Sequence, residues 1–428
     1  MKIALCKSHF AGPVSGADET LVTYAVRLRE AGHDVRVVLM HKHAEDDPHY
    51  RRLRWAGVEV SCVVRRSLAF ALLRRARELL SGFLLFFLLM PRSPARLRKV
   101  WQVLTDWLSR LHYPRCRAHL AALRPDLLHV FTPDTGAALM IRAGHELGIP
   151  VLYHELGTPH HLPALGVYYR RLEKVLPLCA EFAALSPRLA AQWAERFPSL
   201  ERVSVLPLVV DDCAPCPSPA RRGGETVFGY AARVEEGKGP LVLVEALAEL
   251  RRGGAPAVVR VAGTGPQLPE VTSRALALGL GDSCDFAGLY TEPVGRSAFM
   301  RSLDVFMLPS LAEGTPNSII EAMAHGLPVI ASDVGGIPDL LTAETGILVP
   351  PGDAAALAGA MRRLASDPDL RAAMGRAARE RYLKLCSPDA VLPVLWGTYL
   401  RVAGTRAPKP AAPRAGTLAH PWDVAAEF

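Results

Sequence analysis

The strongest constraint on this chain is an alternation of short apolar runs with longer stretches of helical period, which begins at its first residues. KIALCKS gives way to ADETLVTYAVRLREAG, and DVRVVLM and VEVSCVV follow; later LLHVF, PVLYHEL, EFAALS and VSVLPLVV are separated by helix-like segments. Runs rich in Val, Ile and Leu suit strands buried on both faces, and the helices between them supply the crossovers of a parallel sheet. An α/β chain is predicted. Residues 211 to 225, DDCAPCPSPARRGGE, are rich in Pro, Gly and charge and have no apolar period, which predicts a domain boundary. The alternation then restarts with TVFGYAA, AVVRVAG, CDFAGL, VFMLPS, PVIASD and GILVP. Two doubly wound parallel-sheet domains follow, with ligands expected at the carboxyl ends of the strands.

In the second half, residues 313 to 321 read EGTPNSIIE, with a carboxylate at each end. Thr315 suits an N-cap and Pro316 a first helical position, while Ile319, Ile320 and Met323 supply an apolar face. Glu313 is then in the loop before a helix, and Glu321 almost two turns up its axis. Between them are the backbone N–H groups and positive dipole end of a helix, a seat for phosphate. The alternative from the residues alone is a solvated loop charge and a surface helix charge.

Two neighbouring loops carry related chemistry. GYAARVEEGKGP puts Arg233 and Lys238 on one loop, followed by a helix from about Pro240, and two cations beside a helix N-terminus suit a diphosphate. Their alternative is a solvated loop. In VAGTGPQL, Gly263 and Gly265 let the backbone approach a ligand closely, but a dinucleotide fingerprint fails because its third glycine is missing.

In this order and spacing the segments resemble the retaining glycosyltransferases of family 4, which have the GT-B fold. The resemblance is carried by GYAARVEEGKG from Gly229, GTGP from Gly263, FAG from Phe286, LPS from Leu308, EGTPNSIIEAMA from Glu313 and PVIASDVGGIPDLL from Pro328. The first half is similar more loosely, through GPVSGADE, EAGHDVRVV, LLHVF, YHELG and LSPRLA. Two Rossmann-like domains facing across a cleft are implied. Residues 1–215 would bind the acceptor, with a basic apolar insertion near 65–117, and residues 225–385 would bind a nucleotide sugar. A helix at 386–404 would pack back toward the first domain, and the Pro-rich tail at 405–428 reads as disordered.

The resemblance also implies roles. Glu313 would contact donor-sugar hydroxyls and Glu321 the nucleotide ribose. Arg233 and Lys238 would neutralise the diphosphate, aided by the backbone of Gly314, Thr315, Pro316, Asn317 and Ser318. Gly16, in the loop after the first strand, would pack against the donor phosphates. His154, closing PVLYHEL, matches a histidine near the transferred sugar, with Glu155 beside it; read locally, it is a hydrogen-bonded histidine at a strand end. The chain departs from the family at LPLVVD, residues 206 to 211, where an Asn-Gly pair is common; this bears on the hinge-side contact of Asp211 and leaves the fold reading intact.

With Glu313 and Glu321 committed to binding, no protein nucleophile is named. Same-face attack is implied, with the departing phosphate helping to take the acceptor's proton. No metal or cofactor is expected beyond the nucleotide sugar as co-substrate, its nucleotide being UDP or GDP. Asp367-Pro-Asp369, an Asp-x-Asp that invites a metal, lies between two predicted helices and is read as helix capping. Two other functions stay open: a nucleotide-sugar epimerase or phosphorylase, and a non-catalytic membrane-associated binding protein.

The formal charge of +8 is concentrated between Arg65 and Arg117, where the only acids are Glu78 and Asp106. That pattern favours an anionic membrane surface over a nucleic-acid partner. The apolar run from Leu79 to Met90 falls well short of the roughly 20 residues that span a bilayer, and cations hem it on both sides. An interfacial helix is expected, with a buried hairpin or a dimer interface as the alternative. The eight cysteines are scattered, and Cys213 and Cys216 lack the second pair of a zinc site, so reduced thiols are predicted. Ile3-Ala4-Leu5 is too short an apolar run for a signal peptide. The expectation is a cytoplasmic protein, peripheral at the inner face of the membrane, acting on a lipid-linked or glycan acceptor.

Overall fold

The computed structural model describes residues 1–10, 16–41, 47–64, 111–131, 135–159, 172–200, 202–213, 224–289 and 293–404. The expected membrane segment at 68–99 and the tail at 405–428 lie outside the described residues.

The first domain runs β1 (Lys2–Lys7), α1 (Gly16–Glu30), β2 (Asp34–His41), α2 (Pro48–Trp55), β3 (Glu59–Val64), α3 (Tyr113–Leu123), β4 (Leu127–Phe131), α4 (Thr135–Glu146), β5 (Val151–His154), β6 (Glu181–Ala184), α5 (Pro187–Arg196) and β7 (Val203–Val205). Its seven strands are parallel, in the order β3-β2-β1-β4-β5-β6-β7. β4 and β5 are buried at every position, which is why they read as unbroken apolar runs. Ile3 sits in register with Val35 on one side and Leu127 on the other.

The second domain runs β8 (Thr226–Ala231), α6 (Pro240–Arg252), β9 (Ala257–Ala262), α7 (Leu268–Ala277), β10 (Cys284–Gly288), α8 (Pro293–Met300), β11 (Val305–Leu308), α9 (Asn317–Ala324), β12 (Val329–Ser332), α10 (Ile337–Leu340), β13 (Gly346–Val349), α11 (Ala354–Ser366) and α12 (Pro368–Leu385). Its six strands are also parallel, in the order β10-β9-β8-β11-β12-β13. Strand order reverses between β1 and β4 in one sheet and between β8 and β11 in the other. Neighbouring crossovers diverge at such points and leave a crevice at the carboxyl ends of the strands.

A last helix, α13 (Pro388–Val402), crosses to the first domain. Its Val391, Leu395 and Tyr399 share one core with Ile3, Leu5, Tyr24 and Phe131. Arg401 adds a forked pair to Glu181 at 2.5 and 2.9 Å. Asp367 accepts from the Leu370 N–H at 2.9 Å and so caps α12, the role its spacing suggested. The described cysteines are free thiols. Among the described residues no helix is long and apolar enough to cross a membrane.

Candidate active site

A cleft of about 320 Å³ lies where the carboxyl ends of the two sheets face each other. α1 follows β1, the Arg233–Lys238 loop follows β8 and the Glu313 loop follows β11, so both reversal points contribute walls.

Lys238 is positioned by the backbone around it. A short 3-10 turn, Glu236–Lys238, ends at Gly239 with φ 65°, and the Leu311 N–H donates to the Gly237 carbonyl at 2.9 Å. Lys238 Nζ thereby lies 2.6 Å from Glu313 Oε1, which also accepts from the Ser310 hydroxyl at 2.8 Å. Glu313 is buried, so this pair is held in a fixed arrangement. Arg233 stands at the rim with its side chain 62% exposed and pairs with Glu235 at 2.9 Å.

The start of α9 differs from the expectation. Pro316, in extended backbone, is the N-cap and Asn317 the first helical residue, so Thr315 does not cap the helix. The ring of Pro316 offers no acceptor, and the buried Thr315 Oγ1 has no hydrogen-bond partner. An uncapped helix N-terminus on the cleft wall fits the oxygens of a phosphate. Gly314, Thr315, Pro316, Asn317 and Ser318 all line this wall.

Glu321 is buried and therefore not the surface charge of the local reading. Burial pushes its carboxyl pKa up, against the pull of Arg296, whose Nη1 lies 2.6 Å from Glu321 Oε1. From the first domain, Gly16 is the first residue of α1 and not part of the preceding loop. Its carbonyl accepts from Asn317 Nδ2 across the cleft at 3.1 Å, which brings the N-termini of α1 and α9 together. One turn on, Glu19 pairs with Arg52 at 2.7 Å and faces His49 at 3.5 Å. Burial works to raise the Glu19 pKa, but the His49 hydrogen bond, Arg52 and Arg296 outweigh it and hold the group at about 2.

Three expected residues do not line the cleft. Gly263 and Gly265 permit a close approach, but to the protein's own backbone: a Cβ on either would collide with the Ala232 or Val234 carbonyl. They seat the Arg233 loop. His154 is fully buried behind the wall, with Nε2 3.1 Å from the Leu206 carbonyl and its ring stacked on His129 and Tyr24. Burial lowers its pKa to about 3, so the imidazole is neutral. The next residues reach the cleft through Leu156. Glu155, buried, accepts from the Tyr153 hydroxyl at 2.6 Å and the Gly157 N–H at 3.0 Å and shapes that turn.

Glu19, His49, Arg52 and Arg296 on the cleft wall were not singled out from the sequence. Glu19 and Arg296 come from different domains, and no local spacing joins them.

The two facing parallel sheets define a protein of the GT-B class. The Anabaena Alr3699/HepE structure in complex with UDP and glucose has this fold: its TM-score is 0.69 over 93% of this chain and 99% of that one, at 18% identity. Residues 14–212 match the family model for Glycosyltransferase Family 4, and residues 217–381 that for Glycosyl transferases group 1. The 2-deoxystreptamine N-acetyl-D-glucosaminyltransferase of Streptomyces fradiae is 32% identical over 63% of this chain and 69% of its own length. The 2-deoxystreptamine glucosyltransferase of Streptomyces kanamyceticus is 33% identical over 47% of this chain and 55% of that one. The match thus spans little more than half of the latter relative. The chain belongs to glycosyltransferase family 4.

Proposed function

We propose that this protein transfers a sugar from a nucleotide-sugar donor, carrying UDP or GDP, to a lipid-linked or glycan acceptor in polysaccharide or glycolipid biosynthesis. The reaction retains configuration at the anomeric carbon and needs no metal. The observation that carries the reading is the Lys238–Glu313 pair, 2.6 Å apart beside the uncapped N-terminus of α9. The UDP and glucose held by the Anabaena neighbour support the same class of donor.

As the bond from the anomeric carbon to phosphate breaks, negative charge grows on the phosphate oxygens. Lys238, Arg233 and the N-terminus of α9 meet it without reorganisation, which lowers the barrier. Glu313 accepts from donor-sugar hydroxyls and Glu321 from the ribose. The acceptor oxygen bonds to the anomeric carbon on the face the phosphate leaves, and its proton passes to a departing phosphate oxygen. The carboxylates on the described cleft wall, Glu19, Glu313 and Glu321, are each engaged in an ion pair, which favours binding roles over nucleophilic attack.

The basic segment before α3 suggests a place at the inner face of a membrane. The deciding experiment is incubation with a panel of UDP- and GDP-sugars, with and without a lipid-linked acceptor, before and after EDTA. Transfer only with acceptor, unchanged by EDTA and giving a product of the donor's anomeric configuration, is expected. Turnover without acceptor points to an epimerase, and inversion or restoration by a divalent ion refutes the mechanism.

A further inference from the structure

The first domain's share of the cleft wall is divided by chemistry. At one end α1 and α2 contribute Glu19, Thr20, His49 and Arg52. At the other, the neighbouring strands β5, β6 and β7 each place a leucine just beyond their carboxyl ends: Leu156, Leu185 and Leu208. Leu185 and Leu208 are buried and Leu156 is partly so, which makes this end a packed apolar floor. The floor adjoins the Glu313 loop, since a Cβ on Gly314 would stand 2.5 Å from the Leu156 carbonyl oxygen.

The described polar groups around the floor are engaged elsewhere. His154 Nε2 faces the Leu206 carbonyl, and Glu155 accepts from the Tyr153 hydroxyl and the Gly157 N–H. The Ser186 hydroxyl accepts from the Leu189 N–H at 3.4 Å, and the Gly157 carbonyl from Trp193 Nε1 at 3.2 Å. On the second domain, Lys238 and Ser310 both donate to Oε1 of Glu313, which leaves Oε2 for ring hydroxyls. A sugar held by Glu313 thus meets a carboxylate on one side and hydrocarbon on the other. A hydroxyl pressed against hydrocarbon gives up its water for no partner, a cost that a methyl group does not incur. In a hexopyranose, C6 is the carbon outside the ring, where a methyl can replace the hydroxymethyl group without removing a ring hydroxyl. We propose that the transferred sugar is a 6-deoxyhexose whose methyl group seats on Leu156, Leu185 and Leu208, the specificity-determining residues for the donor sugar. This rests on the reading that Glu313 contacts sugar hydroxyls.

The test is calorimetric titration of donor pairs that differ only at C6: UDP-glucose and UDP-6-deoxyglucose, UDP-galactose and UDP-6-deoxygalactose, GDP-mannose and GDP-6-deoxymannose, with UDP and GDP alone for reference. In each pair that binds the wild type, the 6-deoxy member should bind about tenfold or more tightly. Leu156→Asn and Leu208→Asn set an amide of similar size on the floor, and either should cut that ratio about tenfold by gaining the hydroxylated donor. Thermal melts establish folding, and the partly exposed Leu156 carries the test if Leu208→Asn does not fold. A merely structural loss weakens both members of a pair equally and leaves the ratio unmoved. Equal affinities in every pair, tighter binding of the hydroxylated member, or a ratio unmoved in every folded variant overturns the proposal. Binding of UDP or GDP without binding of any 6-deoxy donor overturns it too. If neither nucleotide and no nucleotide sugar binds the wild type, the donor-site reading fails first and takes this one with it.

Discussion

Lys238 Nζ lies 2.6 Å from Glu313 Oε1 across two loops that follow different strands. Charge fixed in this way stabilises a developing phosphate charge without waiting for solvent or side chain to reorient. Lys238→Ala should therefore lower kcat by about 10²- to 10³-fold with little change in acceptor KM. Arg233, exposed at the rim and shared with Glu235, should matter less, and its replacement by Ala should lower kcat about tenfold. Steady-state kinetics check this; a rise in donor KM with kcat intact makes both residues ground-state anchors.

Glu155 gives a pH prediction. Burial lifts its pKa from 4.5 to about 7, although Tyr153 and the backbone N–H groups pull the other way. The folded state holds the proton more tightly than the unfolded chain, so stability is fully present below about pH 4.5 and declines as the pH rises toward 7. That rise in pKa corresponds to about 3 kcal/mol. Glu155→Gln removes the titration, and its melting temperature relative to the wild type should climb between pH 4.5 and 7. Parallel profiles would sink the assignment.

Most of the architecture was legible because strands buried on both faces leave unbroken runs of Val, Ile and Leu. The Glu313 and Glu321 pair was legible for a related reason: one loop and one short helix fix their separation, so sequence spacing carries the geometry. Thr315 misled because N-cap preference alone assigns it the cap, whereas Pro316 takes that place with φ −78° and ψ 126°. Gly263 and Gly265 pack against the Arg233 loop, which the sequence does not reveal because a small residue after a strand looks the same whether a ligand or another loop comes close. The Arg296–Glu19 contact leaves no trace in the sequence, since only the docking of two domains makes it.

Gly239 must hold φ 65° to turn the chain from Lys238 into α6, and a Cβ there would run into the Pro309 carbonyl. Gly239→Ala combines backbone strain with a clash against rigid backbone, and it should destabilise the second domain by about 2 kcal/mol or more. Because the same turn aims Lys238 at Glu313, kcat should fall as well. Denaturant titration and kinetics on one sample check both effects. A stable variant with lowered kcat would mean that the strain is absorbed by moving Lys238, whereas a variant normal in both respects would refute the constraint.

The last prediction concerns how α13 is held. The Tyr399 hydroxyl shares a 2.7 Å hydrogen bond with His129 Nδ1, both groups fully buried between α13 and β4, while His129 Nε2 has no partner. Tyr399→Phe leaves the second ring nitrogen unsatisfied as well, which should cost about 1–3 kcal/mol. Neither residue lines the cleft, so kcat should be unchanged. His129→Leu alone strands the tyrosine hydroxyl and should also destabilise. The double variant replaces both polar partners with apolar groups of similar bulk, so its loss should be smaller than the sum of the two single losses. Thermal and denaturant unfolding of the three variants decides the matter. Strictly additive losses would show that the hydrogen bond contributes nothing and that α13 is held by the packing of Val391, Leu395 and Tyr399 together with the Arg401–Glu181 pair.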